Sequence, residues 1–158
     1  MRVILTGGIT GGHIYPALAI ADQFKEIDKD AEFLYLGSNE GMERYIVPKY
    51  GYELKYIDSR WFDRSSPLKL AKTLFNNERG KRQAISVMKE FKPDLVMSTG
   101  SFVSVPVALA AKALKIPVYI HEQNAYPGVA NKLLSKYARR VFLGFEAARK
   151  YFPSEKVV

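Results

Sequence analysis

Of the two histidines in the 158 residues, His13 closes a glycine-rich run, Gly7-Gly8-Ile9-Thr10-Gly11-Gly12-His13. Glycines let a backbone come close to a ligand. Where such a run opens a helix, the free N–H groups and the positive end of the helix attract an anion. A histidine there either caps and packs the turn or acts as a general base at neutral pH. The helix end favours the uncharged ring that a base needs. A second small-residue run, Ser98-Thr99-Gly100-Ser101-Phe102-Val103-Ser104, suits a phosphate or sugar, or a plain helix N-cap. A third, His121-Glu122-Gln123-Asn124-Ala125-Tyr126-Pro127-Gly128, sets four polar residues directly after an apolar run. Burying them is costly unless they meet a ligand or tie down their own loop.

The familiar nucleotide frames fail. Gly7 to Gly12 has P-loop spacing, but His13 and Ile14 stand where lysine and a hydroxyl are required. A dinucleotide fingerprint is broken by Ile9 and Thr10, and Gly37 ends the second apolar run where an acid is needed. The chain has no cysteine, which excludes disulfides, thiolate metal sites and a cysteine nucleophile. Two histidines are too few for an all-histidine metal site, and no pattern calls for a metal or other cofactor.

Alternating elements must position these runs. Val3–Thr6, Phe33–Leu36, Tyr52–Ile57, Asp94–Ser98, Pro117–Ile120 and Arg140–Leu143 read as strands. Helical periods lie between them. One starts from Pro16, which suits a first helical turn, with Ala17, Ile20, Ala21 and Phe24 on one face. Others span Gly41–Lys49, Pro67–Phe75, Gly80–Phe91, Val103–Leu114, Val129–Tyr137 and Phe145–Tyr151. This alternation predicts βαβ units and a Rossmann-like, doubly wound parallel α/β sheet in one domain. Ligands of such sheets bind beyond the carboxyl ends of the strands, where all three runs fall, with the fourth strand beside the first. The closing Lys156-Val157-Val158 reads as the opening of a further strand and points to a piece of a longer chain. No apolar stretch is long enough for a bilayer span or a signal-peptide core, so the expected compartment is the cytosol.

Together these runs resemble the MurG family of N-acetylglucosaminyltransferases. The resemblance rests on Thr6 to Ala19 and His121 to Gly128, with Gly41-Met42-Glu43, Val47-Pro48-Lys49 and Leu143-Gly144-Phe145, and takes in essentially all 158 residues. It implies one half of a GT-B glycosyltransferase: residues 1–158 as the N-terminal acceptor-binding domain, without the C-terminal donor-binding domain. The implied reaction is inverting transfer of N-acetylglucosamine from UDP-N-acetylglucosamine to lipid I. It would take place at the cytoplasmic face of the bacterial plasma membrane, the fragment alone being inactive. By the same resemblance His13 is the base, Thr10, Gly11, Gly12, Gly100, Ser101 and Phe102 face the acceptor diphosphate, and Glu122 and Asn124 line the acceptor pocket. Ile9, Ser101, Phe102 and Val105 depart from the family, which has glycine at three of these positions and tyrosine at Phe102. The alternative is a non-catalytic membrane-anchoring subunit of a two-chain glycosyltransferase.

The net charge of +8 favours anionic partners. Most of it comes from Arg60 to Lys92, where nine basic residues oppose three acids, Asp63, Glu78 and Glu90. Trp61, Phe62, Leu68, Leu70, Leu74 and Phe75 are interleaved with Arg64, Lys69, Lys72, Arg79, Lys81 and Arg82. Basic residues beside aromatic and leucine side chains suit an anionic membrane surface, each worth about 1 kcal/mol there. The bland alternative is a solvated basic face over core leucines. Nucleic acid fits the charge less well, because no stacking-sheet, helix-turn-helix or zinc pattern is present.

Overall fold

The computed structural model describes residues 1–61 and 65–158. Phe62, Asp63 and Arg64 of the basic segment lie outside them. Six strands, β1 (Arg2–Gly7), β2 (Glu32–Gly37), β3 (Glu53–Tyr56), β4 (Leu95–Gly100), β5 (Val118–Glu122) and β6 (Arg140–Leu143), form one sheet in the order β3-β2-β1-β4-β5-β6. Every pairing is parallel. The helices are α1 (Gly11–Ile27), α2 (Glu43–Lys49), α3 (Pro67–Phe91), α4 (Ser104–Ala113) and α5 (Val129–Leu134). This is the expected doubly wound α/β arrangement, with β4 beside β1.

Strand alternation divides the apolar residues between two cores. Ile4, Leu34, Leu36, Val96 and Ile120 face one side, against Ala84 and Met88 of α3, Val105 and Ala108 of α4 and Leu134 of α5. Val3, Leu5, Tyr35 and Met97 face the other, against Ile14, Ala17, Leu18 and Ala21 of α1 and Ile46 and Val47 of α2. With both faces covered, the central strands read as continuous apolar runs.

Four helical elements differ from the sequence reading. The first helix begins at Gly11, so Pro16 stands inside its second turn instead of opening it. The glycines that begin α1 carry no apolar signal and have poor helix propensity, which hides the first turn. The segments Pro67–Phe75 and Gly80–Phe91 are one helix, α3, of 25 residues. Gly80 is kept there because a side-chain carbon would collide with the Asp58 carbonyl. That close approach outweighs the roughly 1 kcal/mol that glycine costs inside a helix. The period from Val129 yields only the short α5, and the last helical stretch is a 3₁₀ turn, Glu146–Tyr151. Val157 bridges Val141 in parallel and the Val158 N–H donates to the Val141 carbonyl at 2.9 Å, so the closing valines do pair with the sheet.

Candidate functional site

The order in which strands are added to the sheet reverses between β1 and β4, and the three polar runs leave the carboxyl ends of β1, β4 and β5. The β1–β4 register runs from Val3↔Leu95 to Thr6↔Ser98 and then slips, so that Gly7 pairs with Gly100. The slip sets the first two glycine turns side by side.

His13, the third residue of α1, lies half-buried between them. Its Nδ1 is 2.8 Å from the Thr99 carbonyl oxygen. A carbonyl only accepts, so Nδ1 carries a proton, and in the neutral ring the lone pair is on Nε2. Nε2 has no partner among the described residues and is not sealed from solvent. The Gln123 amide also lies 2.8 Å from Nδ1, while its own Oε1 is buried without a partner. Exchanging the two ends of that amide gives the Nδ1–H a second acceptor. Gly100 lies close against the ring. Its φ is +104°, and a side-chain carbon there would stand 3.1 Å from the ring's Cε1 and Nδ1. Glycine at 100 therefore makes room for the histidine as well as for any ligand.

In the first turn, Thr10 is the N-cap of α1 in extended conformation, with no side-chain cap. The N–H groups of Thr10, Gly11 and Gly12 donate to no described residue. The Ile9 N–H is taken by the Glu43 carboxylate at 2.8 Å. Three consecutive amides at the positive end of a 17-residue helix thus remain for an anion. Ile9 and Ser101 both adopt left-handed conformations, φ 72° and 75°. These are two of the positions where the family resemblance leads one to expect glycine, and a side chain there costs about 1–2 kcal/mol.

The second turn is not closed by a side-chain N-cap. The cap of α4 is Val103, and the Ser104 hydroxyl folds back to donate to the Gly100 carbonyl at 2.6 Å. Phe102 meets Trp61 edge to face at 6.4 Å, which joins this turn to the basic segment.

The third run is tied down from within. Glu122 is 1% exposed. Its Oε1 accepts from the Asn124 backbone N–H (2.9 Å) and Asn124 Nδ2 (3.1 Å), and its Oε2 from the Gly128 N–H (3.2 Å) and Asn131 Nδ2 (2.9 Å). Glu122 therefore shapes the pocket through the loop it holds, while Asn124 is exposed at the rim. Thr99, Gln123 and Asn131 carry no individual signal in the sequence. Thr99 acts through its backbone, Asn131 lies inside a short helix, and Gln123 differs from its polar neighbours only in direction.

His121 lines an apolar groove along α1, with Pro16, Ile20 and Phe24. Its Nδ1 is buried without a partner. Burial holds the imidazole below its ordinary pKa of 6.5, against the opposing pull of Gln123 and of the Glu122 carboxylate. The unfolded chain therefore binds the proton more readily than the folded one, and stability falls as pH drops through and below 6.5. Urea midpoints measured from pH 8 to pH 5 are expected to decline, and His121→Gln is expected to flatten that decline.

The leucines of the basic segment are not core. Trp61 is 60% exposed, Leu68 81%, Leu74 52% and Phe75 70%, whereas Thr73, Gly80, Ala84 and Met88 face inward. Leu68, Lys72, Phe75 and Arg79 recur at helical spacing along one stripe of α3. Arg79 pairs with Asp58 (2.9 Å), and Lys81 and Arg82 both pair with Glu78 (3.6 and 3.4 Å), so part of the expected charge is neutralised locally. Among the described residues no helix is long and apolar enough to cross a membrane.

Residues 3–143 match the glycosyltransferase family 28 N-terminal domain. The chain belongs to this family. The domain is 47% identical over 156 residues to the UDP-N-acetylglucosamine–N-acetylmuramyl-(pentapeptide) pyrophosphoryl-undecaprenol N-acetylglucosamine transferase of Lactococcus lactis subsp. cremoris, covering 99% of this chain and 44% of that protein. It is 49% identical over 158 residues to the transferase of the same name from Leuconostoc citreum, covering all of this chain and 43% of that one. Among solved structures it superposes on Acinetobacter baumannii MurG with a TM-score of 0.85 at 34% identity, over 99% of this chain and 44% of that one. A UDP-GlcNAc 2-epimerase from Neisseria meningitidis shares the fold alone, with a TM-score of 0.70 at 16% identity, over 100% of this chain and 46% of that one. The resemblance to MurG read from the loops thus holds along the whole family 28 domain. The chain spans less than half the length of the curated relatives it matches.

Proposed function

We propose that this domain is the acceptor-binding and membrane-binding half of the transferase that moves N-acetylglucosamine from UDP-N-acetylglucosamine to lipid I. The observation that carries the reading is the open Nε2 lone pair of His13, fixed by the Thr99 carbonyl beside three unpaired backbone amides. On this reading Thr10, Gly11 and Gly12 bind the acceptor diphosphate, with the Gly100-Ser101-Phe102 turn on its other side. The muramoyl 4-hydroxyl gives its proton to His13 Nε2 while its oxygen forms a bond to the anomeric carbon of the donor sugar. The bond from that carbon to the UDP oxygen breaks, UDP leaves with the electron pair, and the configuration inverts. The donor is held mainly by the second domain of the whole protein. Asn124 contacts the acceptor at the pocket rim, and Glu122 fixes the loop behind it.

The exposed stripe of α3 supplies the membrane contact, at the cytoplasmic face of the plasma membrane. Trp61, Leu68, Leu74 and Phe75 enter the headgroup layer while Lys69, Lys72, Arg79, Lys81 and Arg82 meet anionic lipid. The Trp61–Phe102 contact supports this placement, because it sets the lipid side next to the diphosphate turn. A lipid-linked diphosphate needs both at once.

Two measurements test the reading. Joined to the donor half of a family 28 relative, the domain is expected to transfer N-acetylglucosamine to a lipid I analogue; no transfer by a folded chimera would remove the acceptor role. The chain is also expected to co-sediment with phosphatidylglycerol vesicles. The double substitution Leu68→Ser with Phe75→Ser should weaken that binding more than tenfold, since each apolar side chain contributes about 1.5–3 kcal/mol when buried. Undiminished binding would move the membrane contact elsewhere.

A further inference from the structure

The Glu43 carboxylate takes no part in the mechanism just described, yet it is fully buried at 0% exposure. No cation pairs with it among the described residues. Its Oε2 accepts from the Ile9 N–H at 2.8 Å and its Oε1 from the Ser38 N–H at 2.8 Å. Three glycines enclose it. A side-chain carbon at Gly8, Gly37 or Gly41 would stand closer than 3.0 Å to Glu43 atoms. The backbone from β1 and the backbone from β2 are thus both drawn onto one carboxylate. Ile9 is held from its other side too, because its carbonyl accepts from the Met42 N–H at 3.3 Å. Glu43 is also close enough to Tyr35 to help push that buried phenol's pKa upward, second to the effect of burial itself. Tyr35 in turn donates to the Gly7 carbonyl at 2.6 Å.

A β-branched residue at φ 72° does not stay there unaided. Released, Ile9 would return to negative φ and rotate the next peptide groups, those of Thr10, Gly11 and Gly12. We infer that Glu43 is a positioning residue: its buried carboxylate clamps Ile9 in the left-handed conformation and so aims the three open amides of the first glycine turn. The inference rests on reading that turn as the anion site. Glu43 touches no substrate in this account and acts through Ile9. A charged acceptor makes a stronger bond to an N–H than a neutral one, which suits a clamp that opposes strain.

The geometry separates this role from a general contribution to folding. Glycine adopts φ near 70° without cost, so a turn with Ile9→Gly needs the clamp far less. The test uses the 158-residue chain and inorganic pyrophosphate as probe, read by amide shifts of Thr10, Gly11 and Gly12 and by hydrogen exchange at residue 9. Glu43→Gln keeps the volume but offers one oxygen where two are used. It is expected to weaken pyrophosphate binding and to speed exchange at Ile9 each by about tenfold, the loss of one charge-assisted hydrogen bond. Adding Ile9→Gly is expected to restore pyrophosphate affinity to within about threefold of the parent, which simple destabilisation would not allow. Ile9→Gly alone is expected to raise the urea midpoint. Unchanged exchange at Ile9 in Glu43→Gln, or no rescue by Ile9→Gly, would overturn the clamp. If Glu43→Gln fails to fold, Ile9→Gly alone still decides, because a lowered midpoint contradicts the strain on which the clamp depends. If pyrophosphate shifts no amide of the parent chain, the anion-site reading falls, and exchange at Ile9 still reports on the clamp.

Discussion

Replacing His13 with alanine, in this domain joined to a donor half, is expected to reduce turnover by about 10²- to 10⁴-fold, the range that a positioned general base supplies. The loss should fall on kcat and leave the KM for the lipid acceptor near its parent value. The acceptor diphosphate is assigned to backbone amides that the substitution does not touch, so ground-state binding has no reason to change much. The fold should survive. The ring is half-buried, and its fixed hydrogen bond is to a carbonyl that water can reach once the ring is gone. Steady-state kinetics together with an unfolding curve on the same variant separate these quantities. Turnover within threefold of the parent would remove His13 from the proton transfer. A KM rise with unchanged kcat would make it a binding residue instead. The same experiment probes the tautomer argument. The Thr99 carbonyl cannot be altered by substitution, but His13→Gln offers an amide that can donate to it without a basic lone pair, and it should be as inactive as the alanine variant.

What the sequence disclosed about this fold follows from physical period. Both faces of the central sheet are covered, so β1, β2 and β4 appear as unbroken apolar runs and could be placed within a residue or two. The helix ends that escape the sequence are those set by something other than apolar spacing. Gly11 and Gly12 begin α1 without any apolar residue to mark its first turn, and Gly80 continues α3 because Asp58 lies against it. The site divides in the same way. His13 was visible because a titratable side chain at the end of a glycine run is uncommon. The groups that make it usable were not, since the Thr99 carbonyl and the amides of Thr10 to Gly12 belong to the backbone and leave no mark in residue type. Glu43 was legible only as part of a family match, Gly41-Met42-Glu43. Nothing in one dimension announces that a carboxylate 34 residues away along the chain will grip the peptide of Ile9. For the basic segment, composition left an exposed stripe and a buried one equally open, and the exposure of Leu68 and Phe75 decides between them.

Glu122→Ala is expected to cost about 2–4 kcal/mol of stability, because it leaves buried donors without an acceptor. Asn131 Nδ2 would keep only its longer bond to the His121 carbonyl, at 3.3 Å. Asn131 is itself only 1% accessible, and its Oδ1 already lacks a partner. The Gly128 N–H opens α5 and Asn124 closes the turn after β5, so one carboxylate joins the end of a strand to the start of the next helix. Glu122→Gln should cost less, since its remaining carbonyl oxygen can still accept from part of that set. The order parent, Gln, Ala in urea midpoints checks this. An alanine variant as stable as the parent would mean that water enters and takes over the carboxylate's bonds. The functional consequence follows from position. Gln123 sits on the backbone between Glu122 and Asn124 and reaches to 2.8 Å from His13 Nδ1. Loosening the Glu122 clamp therefore frees one of the two groups that orient the imidazole, and turnover in the donor-joined protein should fall further for Glu122→Ala than its loss of folded protein accounts for. Kinetics at a temperature where the variant is still fully folded distinguish the two contributions. If turnover per folded molecule is unchanged there, the Thr99 carbonyl alone suffices to aim His13.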